Sequence, residues 1–223
     1  MQILPDVHLI PSGFVNCYLL VDAGGLTLID TGLPGNRNNV LNYIANAGHA
    51  PDDVRRIIIT HADGDHVGCL AALKEATGAR VFASPIEAGA IAAGRSSREL
   101  KTRGVQKLFG KLVGLALKAR PVPVDEMLAD GQELPVWGGL RVVETPGHTP
   151  GHISLYAPSA GVLFAGDSMV SENGALRESR GFNTWDEAKA VESVRKQAAL
   201  GAQIVCVGHG PVVKDAAGKF PRV

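Results

Sequence analysis

Apolar residues in the first third of the chain fall into short runs separated by turn residues, the signature of strands rather than helices. Val7-His8-Leu9-Ile10, Cys17-Tyr18-Leu19-Leu20-Val21 and Leu26-Thr27-Leu28-Ile29-Asp30 are three such runs. Ser12-Gly13 and Asp22-Ala23-Gly24-Gly25 punctuate them, and the second predicts a hairpin turn. The pattern predicts a helix over about Asn38 to Ala47, closed by Gly48, and a strand over Arg56 to Thr60. A helix from Gly68 to about Ala76 and a strand at Ala79-Arg80-Val81-Phe82-Ala83 follow.

The second half echoes the first. Gly139 to Glu144, Ile153 to Tyr156 and Gly161 to Ala165 read as strands, followed by a helix from about Trp185 to Leu200 and a strand from Ala202 to Val207. Leu28-Ile29-Asp30-Thr31-Gly32 matches Leu163-Phe164-Ala165-Gly166-Asp167 as a strand ending in Asp and Gly. Ile57 to His61 matches Ile204 to His209 as a strand ending in His. Two such halves, packed sheet against sheet with helices outside, bring both sets of strand ends to one edge. No Pro-, Gly- or Ser-rich linker divides the 223 residues, so 1–223 reads as a single domain.

Residues from about 85 to 120 fit neither half and read as a helical, basic insert. Val105, Leu108, Phe109, Leu112 and Ala116 stand at helical spacing, weakened by Gly110 and Gly114. Net charge is zero, yet Arg95 to Arg120 holds eight basic residues against Glu99, leaving +7 here and −7 elsewhere. Such a field attracts an anionic substrate, unless it is only a solvated helix face. The helix itself offers three roles: a substrate lid, a homodimer surface or core cover. Because Phe109 is the single aromatic within the basic segment, no nucleic-acid partner is expected. No apolar run reaches the roughly 20 residues that span a bilayer, and no signal peptide is evident. Cys17, Cys69 and Cys206 are odd in number and apolar in setting, which favours buried thiols and a cytoplasmic location.

The chemistry concentrates at strand ends. Thr60-His61-Ala62-Asp63-Gly64-Asp65-His66 places four potential metal ligands directly after an apolar strand, with a glycine that lets the backbone turn tightly. His148 in Thr145-Pro146-Gly147-His148, Asp167 in Ala165-Gly166-Asp167 and His209 in Gly208-His209-Gly210 occupy similar settings. Seven ligands of these types suit two divalent ions sharing one carboxylate. Asp30 reads as a residue that orients a ligand histidine, with a plain turn residue as the alternative. His152 reads as structural or as a support to the ligands, with a substrate role as the alternative. Asn16, Ser84, Arg177 and Trp185 are candidates for substrate contact.

In this arrangement the chain resembles the metallo-β-lactamase-fold hydrolases, the superfamily that includes glyoxalase II and the N-acyl-homoserine lactonases. The resemblance runs from Leu28-Ile29-Asp30-Thr31-Gly32 to Gly208-His209-Gly210-Pro211. It implies an α/β fold, a four-layer αβ/βα sandwich of two mixed sheets with the metals at one edge. Carried over position by position, His61, Asp63 and His148 would hold one metal and Asp65, His66 and His209 the other, with Asp167 bridging. The usual His-x-His-x-Asp-His pattern here reads His61-x-Asp63-x-Asp65-His66, so aspartate replaces the second histidine. A carboxylate at this position shifts metal preference from zinc towards iron or manganese without excluding zinc.

The resemblance also implies a mechanism: a metal-bridging hydroxide attacks a small ester, lactone, thioester or amide, and Asp65 holds the nucleophile and passes on its proton. Two alternatives stand beside this dinuclear metallohydrolase. One is an iron-dependent oxidoreductase, like relatives that oxidise persulfides or reduce oxygen. The other is a non-catalytic protein that binds anions through Arg95 to Arg120.

Overall fold

The computed structural model describes residues 1–99 and 117–222. The helix expected over residues 105 to 116 lies outside the described residues.

The first sheet has seven strands in sequence order: β1 (Gln2–Leu4), β2 (Val7–Ser12), β3 (Val15–Asp22), β4 (Gly25–Ile29), β5 (Val54–Ile58), β6 (Arg80–Ala83) and β7 (Glu126–Met127). β1 to β4 pair antiparallel, and β4 to β7 pair parallel. The second sheet contains β8 (Glu133–Leu134), β9 (Leu140–Glu144), β10 (Ile153–Ala157), β11 (Val162–Gly166), β14 (Ile204–Val207) and β15 (Val213–Lys214). It is ordered β15-β14-β11-β10-β9-β8, and only β11 and β14 pair parallel. A separate hairpin joins β12 (Met169–Glu172) to β13 (Ala175–Glu178).

Burial explains the layering. Tyr18, Leu20, Ile29, Ile58 and Phe82 of the first sheet meet Leu140, Val142, Leu155, Phe164 and Cys206 of the second in a closed interior. The alternate residues Leu19, Leu28, Ile57 and Val81 face the other way. They pack on α1 (Arg37–Asn46) through Val40 and Ile44, and on α3 (Leu70–Thr77) through Leu70 and Leu73. On the far side of the second sheet, Leu163 and Val205 cluster with Val194 of α5 (Glu187–Ala198). Period-two side-chain alternation therefore builds helix, sheet, sheet and helix, the expected four-layer sandwich. Cys17, Cys69 and Cys206 are free and buried, as their apolar settings predicted.

The predicted strands recur within a few residues, and the half-repeat is real at the level of topology. In each half a hairpin (β3–β4, β10–β11) is followed by a parallel partner (β5, β14). The helix predicted from Gly68 begins earlier and breaks. A short α2 (Gly64–Val67) precedes α3, and between them Gly68 lies too close to Pro34 to admit a side chain. The start of the insert is α4 (Pro85–Ala92), capped by Ser84, whose side chain accepts from the Glu87 N–H. No helix among the described residues is long and apolar enough to cross a membrane.

Candidate metal centre

Parallel pairing decides where the site forms. Because β4 runs with β5 and β11 with β14, their C-terminal ends emerge at the same edge. Asp30 follows β4, His61 lies just beyond β5, Asp167 follows β11 and His209 follows β14. The sheets are stitched together there: Asn16 N–H donates to Gly208 O at 2.8 Å, Ile153 N–H to Thr60 O at 3.1 Å, and Tyr18 Oη–H to Val207 O at 2.7 Å. The β9–β10 loop supplies His148, and α2 carries Asp65 and His66.

All seven predicted ligands converge. Asp167 is the hub: Oδ2 stands 3.9 Å from His61 Nε2, 3.6 Å from His148 Nε2 and 3.0 Å from His209 Nε2. Its Oδ1 stands 3.3 Å from His66 Nε2. Asp63 Oδ2 lies 3.7 Å from His61 Nε2 and 3.2 Å from His148 Nε2, so the shorter side chain still joins that group. Asp65 Oδ2 lies 3.4 Å from His209 Nε2 and 4.0 Å from His66 Nε2. Three overlapping sets have ligand atoms close enough to share an ion: His61, Asp63 and His148; Asp65, His66 and His209; and His61, His66 and Asp167.

Each of these histidines is held by Nδ1, leaving Nε2 directed inward. His61 Nδ1 meets Thr60 Oγ1 at 2.9 Å, His66 Nδ1 meets Asp30 Oδ2 at 2.9 Å, His148 Nδ1 meets Ser179 Oγ at 2.9 Å and His209 Nδ1 meets Phe14 O at 2.9 Å. Thr60 Oγ1–H donates to Asp30 Oδ2 at 2.8 Å, so the hydroxyl accepts from His61. Asp30 thus fixes the tautomer of two histidines, one directly and one through a hydroxyl. Its φ of 59° lies in the left-handed region that Asp tolerates, which turns the chain sharply after β4. Asp30→Asn, which cannot accept from all its donors, is expected to weaken metal binding by about 10- to 100-fold with the fold retained. Competition against a chromogenic chelator measures this, and unchanged affinity would sink the tautomer argument.

Carboxylates and imidazoles hold one another in their charged forms here. Burial alone would keep the Asp167 carboxyl neutral, but the charges of His66 and His209 outweigh it and hold it well below the usual range. Burial also opposes ionisation of Asp63; His148, His61 and Arg98 reverse that and hold its carboxyl low. Burial disfavours charged His66 and His209. The carboxylates Asp167 and Asp30 nonetheless raise His66 well above its ordinary value, and Asp167 and Asp65 push His209 up to about 10. His61 Nε2, His66 Nε2 and Asp167 Oδ1 are buried with no hydrogen-bond partner among the described residues. Ionised carboxylates, inward imidazole nitrogens and orphaned polar atoms are what divalent ions would satisfy. The residues present fit such ions.

His152 is structural, as one of its readings had it. Its Nδ1 meets Thr145 Oγ1 at 2.8 Å and its Nε2 accepts from Asp167 N–H at 3.0 Å, so neither nitrogen is free. Asn16 donates to Val207 O and Gly210 O, and Ser84 to Gly151 O, so both brace loops. Trp185 N–H donates to His148 O at 3.1 Å. Of the four substrate candidates, Arg177 lines a cavity beside the centre. That cavity, of about 620 Å³, also reaches His148, Asp167, Arg180, Asn183 and Arg222. A second, of about 550 Å³, reaches Asp63, Asp65, Asp167, Arg95, Arg98 and Lys118.

Sequence reasoning counted Arg98 only as a charge. In the fold, Arg98 Nη2 donates to Asp63 Oδ2 and, at 2.9 Å, to Asn183 Oδ1. Ser96 Oγ–H donates to Asp63 Oδ1 at 2.6 Å, and Ser97 Oγ–H to Glu87 Oε1 at 2.8 Å. Glu87, fully buried, also accepts from Ala62 N–H, Thr149 Oγ1–H and Gly151 N–H. One loop of the insert therefore clamps the ligand loops from outside.

A family model described as the metallo-beta-lactamase superfamily matches residues 10–209. The chain is 34% identical over 157 residues to a hydroxyacylglutathione hydrolase of Cereibacter sphaeroides, covering 69% of this chain and 48% of that protein. It is 25% identical over 224 residues to the probable metallo-hydrolase YflN of Bacillus subtilis, covering 92% and 83%. Among solved structures it resembles a metallo-beta-lactamase family protein from Thermus thermophilus. There the TM-score is 0.75, with 28% identity and coverage of 98% and 78%.

Proposed function

The chain belongs to the metallo-beta-lactamase superfamily, and from that premise we propose that it is a dinuclear metal-dependent hydrolase of small anionic esters, lactones, thioesters or amides. The observation that carries this reading is the convergence of seven ligand-type side chains whose four imidazoles are each anchored at Nδ1. In it, His61, Asp63 and His148 would hold one divalent ion and Asp65, His66 and His209 the other, with Asp167 shared by the two groups. Zinc, iron and manganese all suit this donor set, and the third carboxylate favours the harder ions. When bound, such ions supply Lewis acidity and acidify coordinated water.

The chain's own groups do the rest. Asp65, partly open to the second cavity, accepts the proton of the attacking water through its other carboxylate oxygen, the one not turned towards His209 and His66, and returns it to the leaving oxygen, sulfur or nitrogen. Water's oxygen bonds to the acyl carbon as the acyl–heteroatom bond breaks, so atoms and charge balance. Arg222 in one cavity and Arg95 and Lys118 in the other offer positive charge to an anionic substrate, while Arg177, Arg180 and Arg98 are paired with Glu172, Glu178 and Asp63.

The test is elemental analysis of protein purified without added metal, followed by a panel of small esters, lactones and thioesters with and without a carboxylate. About two metals per chain and chelator-sensitive hydrolysis that prefers the carboxylated members are expected; hydrolysis indifferent to chelation would overturn the reading. The Asp63 carboxylate sustains a second reading, an iron-dependent oxidoreductase. An iron majority with oxygen consumption on a thiol-derived substrate would favour it.

A further inference from the structure

The two ion positions differ in one respect that the ligand motif does not reveal. At the position formed by Asp65, His66, His209 and the shared Asp167, only histidines stand within ion-pair distance of the carboxylates, among the described residues. At the position formed by His61, Asp63 and His148, a permanent cation is already present. Arg98 Nη2 donates to Asp63 Oδ2, the oxygen that faces His61 and His148, and stands 3.3 Å from His148 Nε2. Asn183 Oδ1 anchors the same nitrogen from across the cleft. The guanidinium is buried, with Nε and Nη1 unpartnered among the described residues.

A guanidinium and a divalent ion there compete for the same lone pairs of Asp63 Oδ2 and His148 Nε2. They also repel each other at short range, where Arg98 is buried and Asp63 largely so. Arginine cannot relieve the conflict by losing its proton, because it stays charged at any working pH. It can only move, and Asp63 would then keep Ser96 as its remaining hydrogen-bond donor at Oδ1.

We propose that Arg98 guards the His61–Asp63–His148 position, so that the chain loads its ions in order. The first ion enters between Asp65, His66, Asp167 and His209, and the second enters only as Arg98 leaves Asp63. This deepens the metallohydrolase reading and rests on its two-ion site. Arg98 is here a positioning residue for metal occupancy, and the replacement of the usual histidine by Asp63 becomes one half of a pair with it.

The experiment is calorimetric titration of the metal-free full-length protein with zinc and with manganese, with bound metal counted by elemental analysis after dialysis. The wild-type protein is expected to show two classes of site separated by at least about tenfold in dissociation constant. Arg98→Gln should tighten the weaker class by about tenfold or more and leave the stronger class unchanged, an internal sign that the variant is folded. Arg98→Lys, which keeps the charge, should retain a separation, and His209→Ala should remove the stronger class. Two equal classes in the wild-type protein would overturn the proposal without any variant. So would an Arg98→Gln protein whose weaker class is unchanged or weakened, because Arg98 would then support Asp63 as a ligand. Failure of every protein to bind metal would instead bring down the metallohydrolase reading itself.

Discussion

Asp167→Asn is expected to remove hydrolysis by about three orders of magnitude, the scale on which loss of a pre-arranged electrostatic group is felt. Among the seven ligand-type side chains, Asp167 faces four histidines at once, with Oδ2 towards His61, His148 and His209 and Oδ1 towards His66. An amide keeps the shape but removes a charge that both proposed ion positions share, and it turns one acceptor into a donor against an imidazole nitrogen. Metal content should therefore fall at both proposed positions, unlike a loss at Asp65 or Asp63, which in the dinuclear reading serve one each. The backbone role survives the change, because Asp167 N–H still donates to His152 Nε2. Metal content, turnover and thermal unfolding of the variant would be measured together. Full metal content with full turnover would show that the bridging role is wrong.

Much of the fold was legible in the chain because the β-strands buried on both faces are short, apolar and cut off by glycine. Leu163 and Phe164 point to opposite faces of β11, and both are fully buried. The strands that sequence reading missed are those whose existence depends on a neighbour. β1, β7, β8 and β15 are two or three residues long at or near sheet margins, too short to show an alternation of their own. Two omissions did carry a signal. Asn173-Gly174 turns the β12–β13 hairpin with φ of 51° and 77°, the positive values that the pair Asn-Gly favours. Ser84-Pro85-Ile86-Glu87 opens α4 with a capping serine, a proline in the first turn and an acidic residue.

The candidate site was legible for a different reason. Histidines and aspartates at the ends of apolar strands are unusual residues in unusual places, and parallel pairing sends those ends to one edge. Arg98 and Asn183 gave no such signal, because an arginine in a basic segment and an asparagine in a loop look like surface residues. Only the three-dimensional meeting of the insert with the Thr184–Trp185 side of the cleft makes them neighbours of Asp63.

The other large effect is expected at a residue with no chemistry of its own. Gly208 connects β14 to His209, and its N–H donates to Gly166 O at 2.9 Å while its O accepts from Asn16 N–H at 2.8 Å. Both bonds hold the backbone in place, so the space beside its Cα cannot be widened without unpicking the seam between the sheets. A Cβ there would press into Asp167 Oδ1 and stand 2.8 Å from His66 Cε1. Gly208→Ala must therefore push Asp167 off His66 or swing His209 outward. Either movement misplaces a ligand by a large part of an ångström, and misplacement of about 1 Å is enough to cost about 100-fold in rate. Overpacking of this kind typically costs about 1–3 kcal/mol of stability, a drop in Tm that still leaves the domain folded. Gly89, within α4 and with nothing among the described residues within 4 Å of where a Cβ would stand, is the matched control, and Gly89→Ala should leave metal content and rate unchanged. If Gly208→Ala binds metal and turns over like the parent, Asp167 and His66 are not held where the fold puts them.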